Sequence, residues 1–197
     1  QDGVIMAKMD GLTCSLRYIN GELVSAETRG DGEIGEDILH CAKTIKNIPL
    51  HINCKDEVII DGEVIISYND FERINATLPE DERYKHPRNL ASGSIRQLDS
   101  SIAAQRNMQF IAWKLIEGFD SNSFWERISF MKNIGFTTVV TGLIPSLRTF
   151  SEEHGGVDDY PFMIEGLIDQ IKNISQKAGY PIDGCVFGYN DVAYGDS

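Results

Sequence analysis

Val4-Ile5-Met6-Ala7-Lys8-Met9-Asp10-Gly11, followed at once by Leu12 to Tyr18 and Ile19-Asn20-Gly21, decides the architecture. An Asn-Gly pair between two alternating runs, Leu12 to Tyr18 and Glu22 to Thr28, is the strongest short-range hairpin signal. The apolar run Val4-Ile5-Met6 therefore leads into an antiparallel sheet and not into a βαβ unit. With a strand period of two, Lys8 and Asp10 share one face and Met9 takes the other. Gly11 permits a sharp turn and the close approach of a ligand to the backbone. The result is an amine and a carboxylate side by side at the mouth of a sheet. A lysine held there attacks phosphorus or carbonyl carbon if burial or a nearby cation keeps some of it neutral. The plainer alternative is a strand end with a solvated Lys–Asp pair, and Lys-x-Asp-Gly alone is too short to choose.

The 197 residues are 42% hydrophobic and 24% charged, as in ordinary soluble globular proteins. That suits one domain, or one domain in two lobes, with a sizeable core. No apolar run approaches membrane-spanning length, and Gln1-Asp2-Gly3 carries no basic leader. The start just before an apolar strand and the ending Gly195-Asp196-Ser197 read as a segment of something longer. A net charge of −12 argues against this segment gripping nucleic acid by itself, because phosphate neutralisation needs excess Lys and Arg. The balance reverses locally through Arg83, Lys85, His86, Arg88 and Arg96. Cys14, Cys41, Cys54 and Cys185 form no Cys-x-x-Cys pair, and the four histidines form no ligand cluster. Reduced cytosolic thiols are expected and no metal ligands are assigned.

Thr28-Arg29-Gly30-Asp31-Gly32-Glu33-Ile34-Gly35 contains Gly-x-Gly-x-x-Gly at positions 30–35. Asp31, Glu33, Glu36 and Asp37 would crowd the pyrophosphate of a dinucleotide, and the preceding strand belongs to a hairpin, so that reading is rejected. The glycines shape a loop before a helix over Ile38 to Thr44, with Arg29 either a ligand for an anion or simply solvated. Ile45 to Ile52 is a connection. Glu57 to Ile66 is β-rich and broken by Asp61-Gly62-Glu63. Glu63 shares the side of Ile59, Asp61 and Ile65 and reaches inward, unless Gly62 marks a bulge. A short helix starts near Asn69 or Asp70 as cap, and Leu78 to Pro87 is polar. Small residues fill Arg88 to Leu98, where Arg88 and Arg96 lie a little over two helical turns apart and can face one cleft. Met108 to Ile116 is a strand carrying Trp113, Ser123 to Asn133 a helix, Thr138 to Ile144 a strand, Phe162 to Gln176 an amphipathic helix, and Gly184 to Tyr189 a last strand.

These motifs together resemble the adenylation (nucleotidyltransferase) domain of bacterial NAD-dependent DNA ligases. The resemblance runs through Lys8-Met9-Asp10-Gly11, Thr28-Arg29-Gly30-Asp31-Gly32, Asp61-Gly62-Glu63-Val64, Pro87-Arg88-Asn89, Ala91-Ser92-Gly93-Ser94-Ile95-Arg96-Gln97-Leu98-Asp99 and Asp183-Gly184. It implies an α+β fold of ATP-grasp-like build: twisted antiparallel sheets flanked by helices, two lobes around a nucleotide cleft, with residues 1–197 as one adenylation domain of a longer ligase. It implies that Lys8 attacks the α-phosphorus of NAD, expels nicotinamide mononucleotide and carries AMP to the 5′-phosphate of a nick, with Mg²⁺ assisting. Asp10 then stands beside the nucleophile and Glu63 on the ribose. Arg29, Arg88 and Arg96 serve phosphates or the nick, Gly11 and Asp183 complete the cofactor site, and Trp113 either stacks on adenine or is core. Nicked duplex DNA, NAD and AMP are the implied partners of a cytoplasmic monomer with no membrane contact. Gly188 stands where the family usually has lysine, and Met6 where many members have a glutamate. An ATP-dependent nucleotidyltransferase, or a nucleotide- or DNA-binding module without chemistry, are the competing expectations.

Overall fold

Asn20 and Gly21 take positive φ values of 51° and 84°, so the chain reverses in two residues and pairs Ile19 with Glu22. That turn twists with its strands, as the Asn-Gly signal requires. The computed structural model describes residues 1–29 and 35–195. In chain order the elements are β1 (Gly3–Met9), β2 (Leu12–Ile19), β3 (Glu22–Thr28), α1 (Leu39–Ala42), β4 (Val58–Ile65), α2 (Tyr68–Thr77), α3 (Pro87–Ile95), α4 (Ser100–Gln105) and β5 (Gln109–Glu117). Next come α5 (Phe124–Asn133), β6 (Thr141–Ile144), α6 (Leu147–His154), α7 (Tyr160–Lys177), β7 (Ile182–Tyr189) and α8 (Val192–Gly195). The strands form two antiparallel sheets, one of order β6-β1-β7 and one of order β3-β2-β4-β5. With helices around them the fold is α+β.

β1 and β2 are consecutive yet lie in different sheets, so Asp10-Gly11 is the crossing between them. Alternation sets what each strand buries. Ile5, Ala7 and Met9 enter the core while Lys8 stays exposed, and Cys14, Leu16 and Tyr18 do the same from β2. The buried Tyr18 hydroxyl donates to the Pro49 carbonyl at 2.7 Å, and its ring meets Phe136 edge-on at 5.8 Å. Ile45 to Ile52 is a connection, as expected, and Asn47 pins it by exchanging two hydrogen bonds with the Phe110 backbone on β5. Ala91 and Ser94 of α3 are buried where that helix packs on β4 and β2. The small residues there let the helix lie close on the sheet.

Gly11 is required for a reason other than turn flexibility. A Cβ at this position would stand 2.2 Å from the Val64 carbonyl oxygen and 2.8 Å from Ile65 Cγ2. Only a residue without a side chain lets the crossing lie against β4. Gly11→Ala is expected to cost about 2 kcal/mol by overpacking, read as a lowered urea midpoint at unchanged slope.

Several boundaries differ from expectation. α2 is capped by Ser67, whose Oγ accepts from the Asp70 N–H at 3.2 Å, and not by Asn69 or Asp70. The helix near Ile38 to Thr44 shortens to Leu39–Ala42, and the strand near Thr138 to Thr141–Ile144. α4 and α6 are helices that the hydrophobic pattern does not announce. Gly30, Asp31, Gly32, Glu33 and Ile34, the centre of the glycine loop, lie outside the described residues. Among the described residues no helix is long and apolar enough to cross a membrane, and all four cysteines are free thiols.

Candidate active site

A cavity of about 450 Å³ opens between the two sheets. Lys8 and Met6 reach it from β1, Thr13 from β2, Glu63 from β4, Trp113 from β5, Arg88 from α3, and Asp183 from β7. Asp10 and Gly11, at the crossing, complete its floor. Lys8 and Asp10 thus reach one cavity, although Asp10 lies past the end of β1 and Met9, between them, lines it too.

Two of these side chains are aimed by β-bulges. Lys8 pairs with Gly184 and Met9 with Ile182, so Asp183 is the extra residue of β7. An extra residue leaves the ladder and turns its side chain out of register. Asp183 Oδ2 consequently accepts a hydrogen bond from Lys8 Nζ at 3.0 Å, with the lysine side chain 57% exposed. On the other sheet Gly62 pairs with Ala112 and Asp61 with Lys114, so Trp113 is the extra residue of β5. The bulge weighed at Gly62 exists, and it is the facing strand that carries it. Trp113 is half-buried, packs on the core and lines the cavity.

Asp10 is held from both sides by the start of α3. Arg88 Nη1 lies 3.7 Å from Asp10 Oδ1 and His86 Nε2 lies 3.6 Å from Asp10 Oδ2. The Asp10 side chain is only 16% exposed, and its backbone N–H donates to the Pro181 carbonyl at 2.9 Å. The cavity therefore joins an amine, a guanidinium and carboxylates within one small space.

Glu63 faces Thr13 directly across the β2–β4 ladder, and the Thr13 hydroxyl donates to Glu63 Oε2 at 3.0 Å. Burial pushes the Glu63 carboxyl up to about 7, and the neighbouring Asp10 charge pushes the same way. The Thr13 hydroxyl, the Gly11 backbone and Arg88 oppose the rise without cancelling it. Thr13 and His86 are site residues that sequence reasoning misses. Thr13 comes two residues after Gly11, but only the ladder register shows which residue it faces.

Arg29 and Arg96 do not line the cavity. Arg29 Nη1 stands 3.1 Å from the buried Asp61 Oδ2, although no N–H aims at that oxygen as a hydrogen bond. The second acid of β4 is thus explained by an ion pair. Arg96 donates to Glu36 and to Ser92. It does not align with Arg88 as expected: at about 3.6 residues per turn, eight residues leave the two side chains about 80° apart around the helix, and Arg96, the C-cap of α3, turns to Glu36 and Ser92. Among the described residues no group of three or more His, Cys, Asp or Glu side chains is placed to hold a metal ion.

The family model of the NAD-dependent DNA ligase adenylation domain matches residues 2–197. The chain is 41% identical to a DNA ligase of Lachnoclostridium phytofermentans, covering 100% of this chain and 28% of that protein. It is 40% identical to a DNA ligase of Helicobacter hepaticus, covering 89% of this chain and 28% of that protein. The chain therefore spans little more than a quarter of the length of these relatives. A solved structure named Pmar-Lig_Pre superposes with a TM-score of 0.54 at 12% identity, over 96% of this chain and 39% of that one, a likeness of fold alone. With a match that runs from Asp2 to Ser197, this chain belongs to the family of NAD-dependent DNA ligase adenylation domains.

Proposed function

We propose that residues 1–197 act as the adenylation domain of a NAD-dependent DNA ligase, with Lys8 the residue that carries AMP. The observation that carries this reading is the placement of Lys8 at a cavity shared with Asp10, Glu63, Arg88 and Trp113. Lys8 Nζ, released from Asp183 and stripped of a proton, forms an N–P bond to the α-phosphorus of NAD. The P–O bond to nicotinamide mononucleotide breaks, and that group leaves with the electron pair as its phosphate. The AMP then passes to the 5′-phosphate of nicked duplex DNA, from which the 3′-hydroxyl displaces it.

Each remaining residue takes a part that its surroundings favour. Arg88, steadied by Asp10, faces the negative charge that builds on the phosphate oxygens. Glu63 accepts from the ribose hydroxyls, and Trp113 stacks on the base. Gly11 keeps the floor of the cavity flat, and Asp183 parks the amine. Arg29 and Arg96 are the proposed contacts to the phosphates of the nick, for which each leaves its carboxylate partner. With a net charge of −12, such contacts must be local. Mg²⁺ is proposed for the reaction on family grounds alone, since the described side chains form no cage for it. A cytoplasmic location is proposed with the rest, consistent with the free thiols, and a monomeric state on family grounds alone.

The test is intact-mass measurement of the full-length protein with NAD or with ATP. One AMP added from NAD and mapped to Lys8 is the expected result. An adduct from ATP alone would instead make it an ATP-dependent nucleotidyltransferase, and none from either would leave nucleotide binding without chemistry. Trp113→Ala is expected to weaken adenosine binding by about 1–3 kcal/mol, the usual worth of base stacking on an aromatic side chain. Titration calorimetry paired with melting temperature separates stacking from core packing: unchanged affinity in a folded variant removes the indole from the base.

A further inference from the structure

We propose that His86 is a positioning residue for Asp10, spanning from the backbone at the start of α3 to the carboxylate in the cavity. The inference rests on the adenylyl-transfer reading above. His86 is the N-cap of α3, and its Nδ1 accepts from the Arg88 backbone N–H at 3.3 Å. An imidazole nitrogen that accepts carries no proton, so in the neutral ring the hydrogen sits on Nε2. Nε2 is the atom that faces Asp10 Oδ2, at 3.6 Å. That distance is too long for a formed hydrogen bond, and a shift of a few tenths of an ångström closes it.

Helix N-caps favour the short side chains of Asn, Asp, Ser and Thr. A histidine serves the same N–H from one end of its ring and leaves the opposite nitrogen, with its hydrogen, for a second partner. That second partner is the carboxylate whose other oxygen lies 3.7 Å from Arg88 Nη1. One helix start therefore faces both oxygens of Asp10, and closing the Nε2–H contact would fix the carboxylate and, through it, the Arg88 guanidinium at the cavity. Without the Nε2–H the carboxylate is free to rotate, and Arg88 drifts with it. A misplacement of about 1 Å costs on the order of 100-fold in rate.

The experiment compares three variants of the full-length protein in single-turnover formation of the Lys8–AMP adduct from NAD, with melting temperature recorded alongside. His86→Ser keeps the cap and loses the donor to Asp10. His86→Asp keeps the cap and sets a second carboxylate against Asp10. His86→Gln carries an Nε2–H at the reach of the ring's Nε2–H, so it keeps the donor to Asp10 and gives up the cap. The expected rates fall about 10-fold for His86→Ser and about 100-fold for His86→Asp, at melting temperatures near wild type. His86→Gln is expected to keep the rate within about threefold of wild type at a lowered melting temperature, since the donor is kept and the cap is lost. Equal rates in wild type, His86→Ser and His86→Asp would reduce His86 to a cap and overturn the inference, as would rates that merely follow melting temperature. Absence of any adduct in wild type overturns the adenylyl-transfer reading first, and this inference with it.

Discussion

Lys8→Arg in the full-length protein is expected to abolish the AMP adduct, lowering its rate of formation more than about 10⁴-fold. The substitution keeps the positive charge and the ion pair to Asp183, 3.0 Å away in the native protein. It removes the nucleophile, because a guanidinium stays protonated and has no lone pair to offer phosphorus. The side chain is 57% exposed, so the fold should not suffer, and an unchanged melting temperature would separate lost chemistry from lost structure. Intact mass after hours with NAD and Mg²⁺ is the readout. Residual adduct in this variant would take Lys8 out of the role and send the search to another amine.

The parts of this fold that are legible in the sequence are those fixed by neighbours in the chain. Asn20-Gly21 makes its hairpin because two residues alone set the turn, and the Glu57 to Ile66 run becomes β4 because β-branched residues fill it. Lys8 and Asp10 both line the cavity, the first from β1 and the second from the crossing just past its end. Caps are half legible. The helix read from Ser123 begins at Phe124 with Ser123 as its cap, whereas α2 is capped by Ser67, ahead of Asn69 and Asp70, because the Ser67 hydroxyl reaches the Asp70 N–H. α4 is announced by Asp99, which accepts from the Ser101 N–H, and α6 by Ser146, which accepts from the Thr149 N–H. These cap signals stand in stretches with few apolar residues, where no hydrophobic stripe reinforces them.

The site residues are recognisable one by one through family resemblance, and their geometry depends on pairings that no local pattern encodes. Asp183 meets Lys8, and Trp113 meets the cavity, through single-residue bulges on strands that pair with partners far away in sequence. A bulge shifts every later residue by one face, so strand period alone misplaces the side chains beyond it. Arg96 shows the converse. Eight residues are a little over two turns, and the excess of about 80° carries Arg96 off the face of Arg88, where it pairs with Glu36. Asp61, which breaks the β-rich run Glu57 to Ile66, is the buried partner of Arg29, a pairing no local pattern announces.

Glu63 should make the protein less stable as pH rises from about 4.5 to above 7. Its ordinary value is 4.5, and burial in the folded state raises it to about 7. A carboxyl raised on folding means that the native state binds a proton the unfolded state has already lost, and stability falls with pH across that window. Below the unfolded value both states are protonated and nothing is lost; above the folded value the full cost of burying the charge is present. A shift of this size corresponds to about 3 kcal/mol, which for a domain of this length is roughly 6–12 °C in melting temperature. Glu63→Gln keeps an acceptor for the Thr13 hydroxyl, which stands 3.0 Å from the native carboxylate, and has no proton to lose. Its melting temperature, measured from pH 4.5 to 8, should therefore lack the portion of the wild-type decline that Glu63 supplies. The difference between the two curves isolates this one group from the many other acids of the chain. Two curves running parallel across the window would show that Glu63 is ionised throughout, and that its surroundings stabilise the charge in full. The same carboxylate must accept from the ribose in the proposed reaction. Adenosine binding near pH 6 should then release a proton in the wild type and none in Glu63→Gln, as calorimetry in two buffers of different ionisation enthalpy would register.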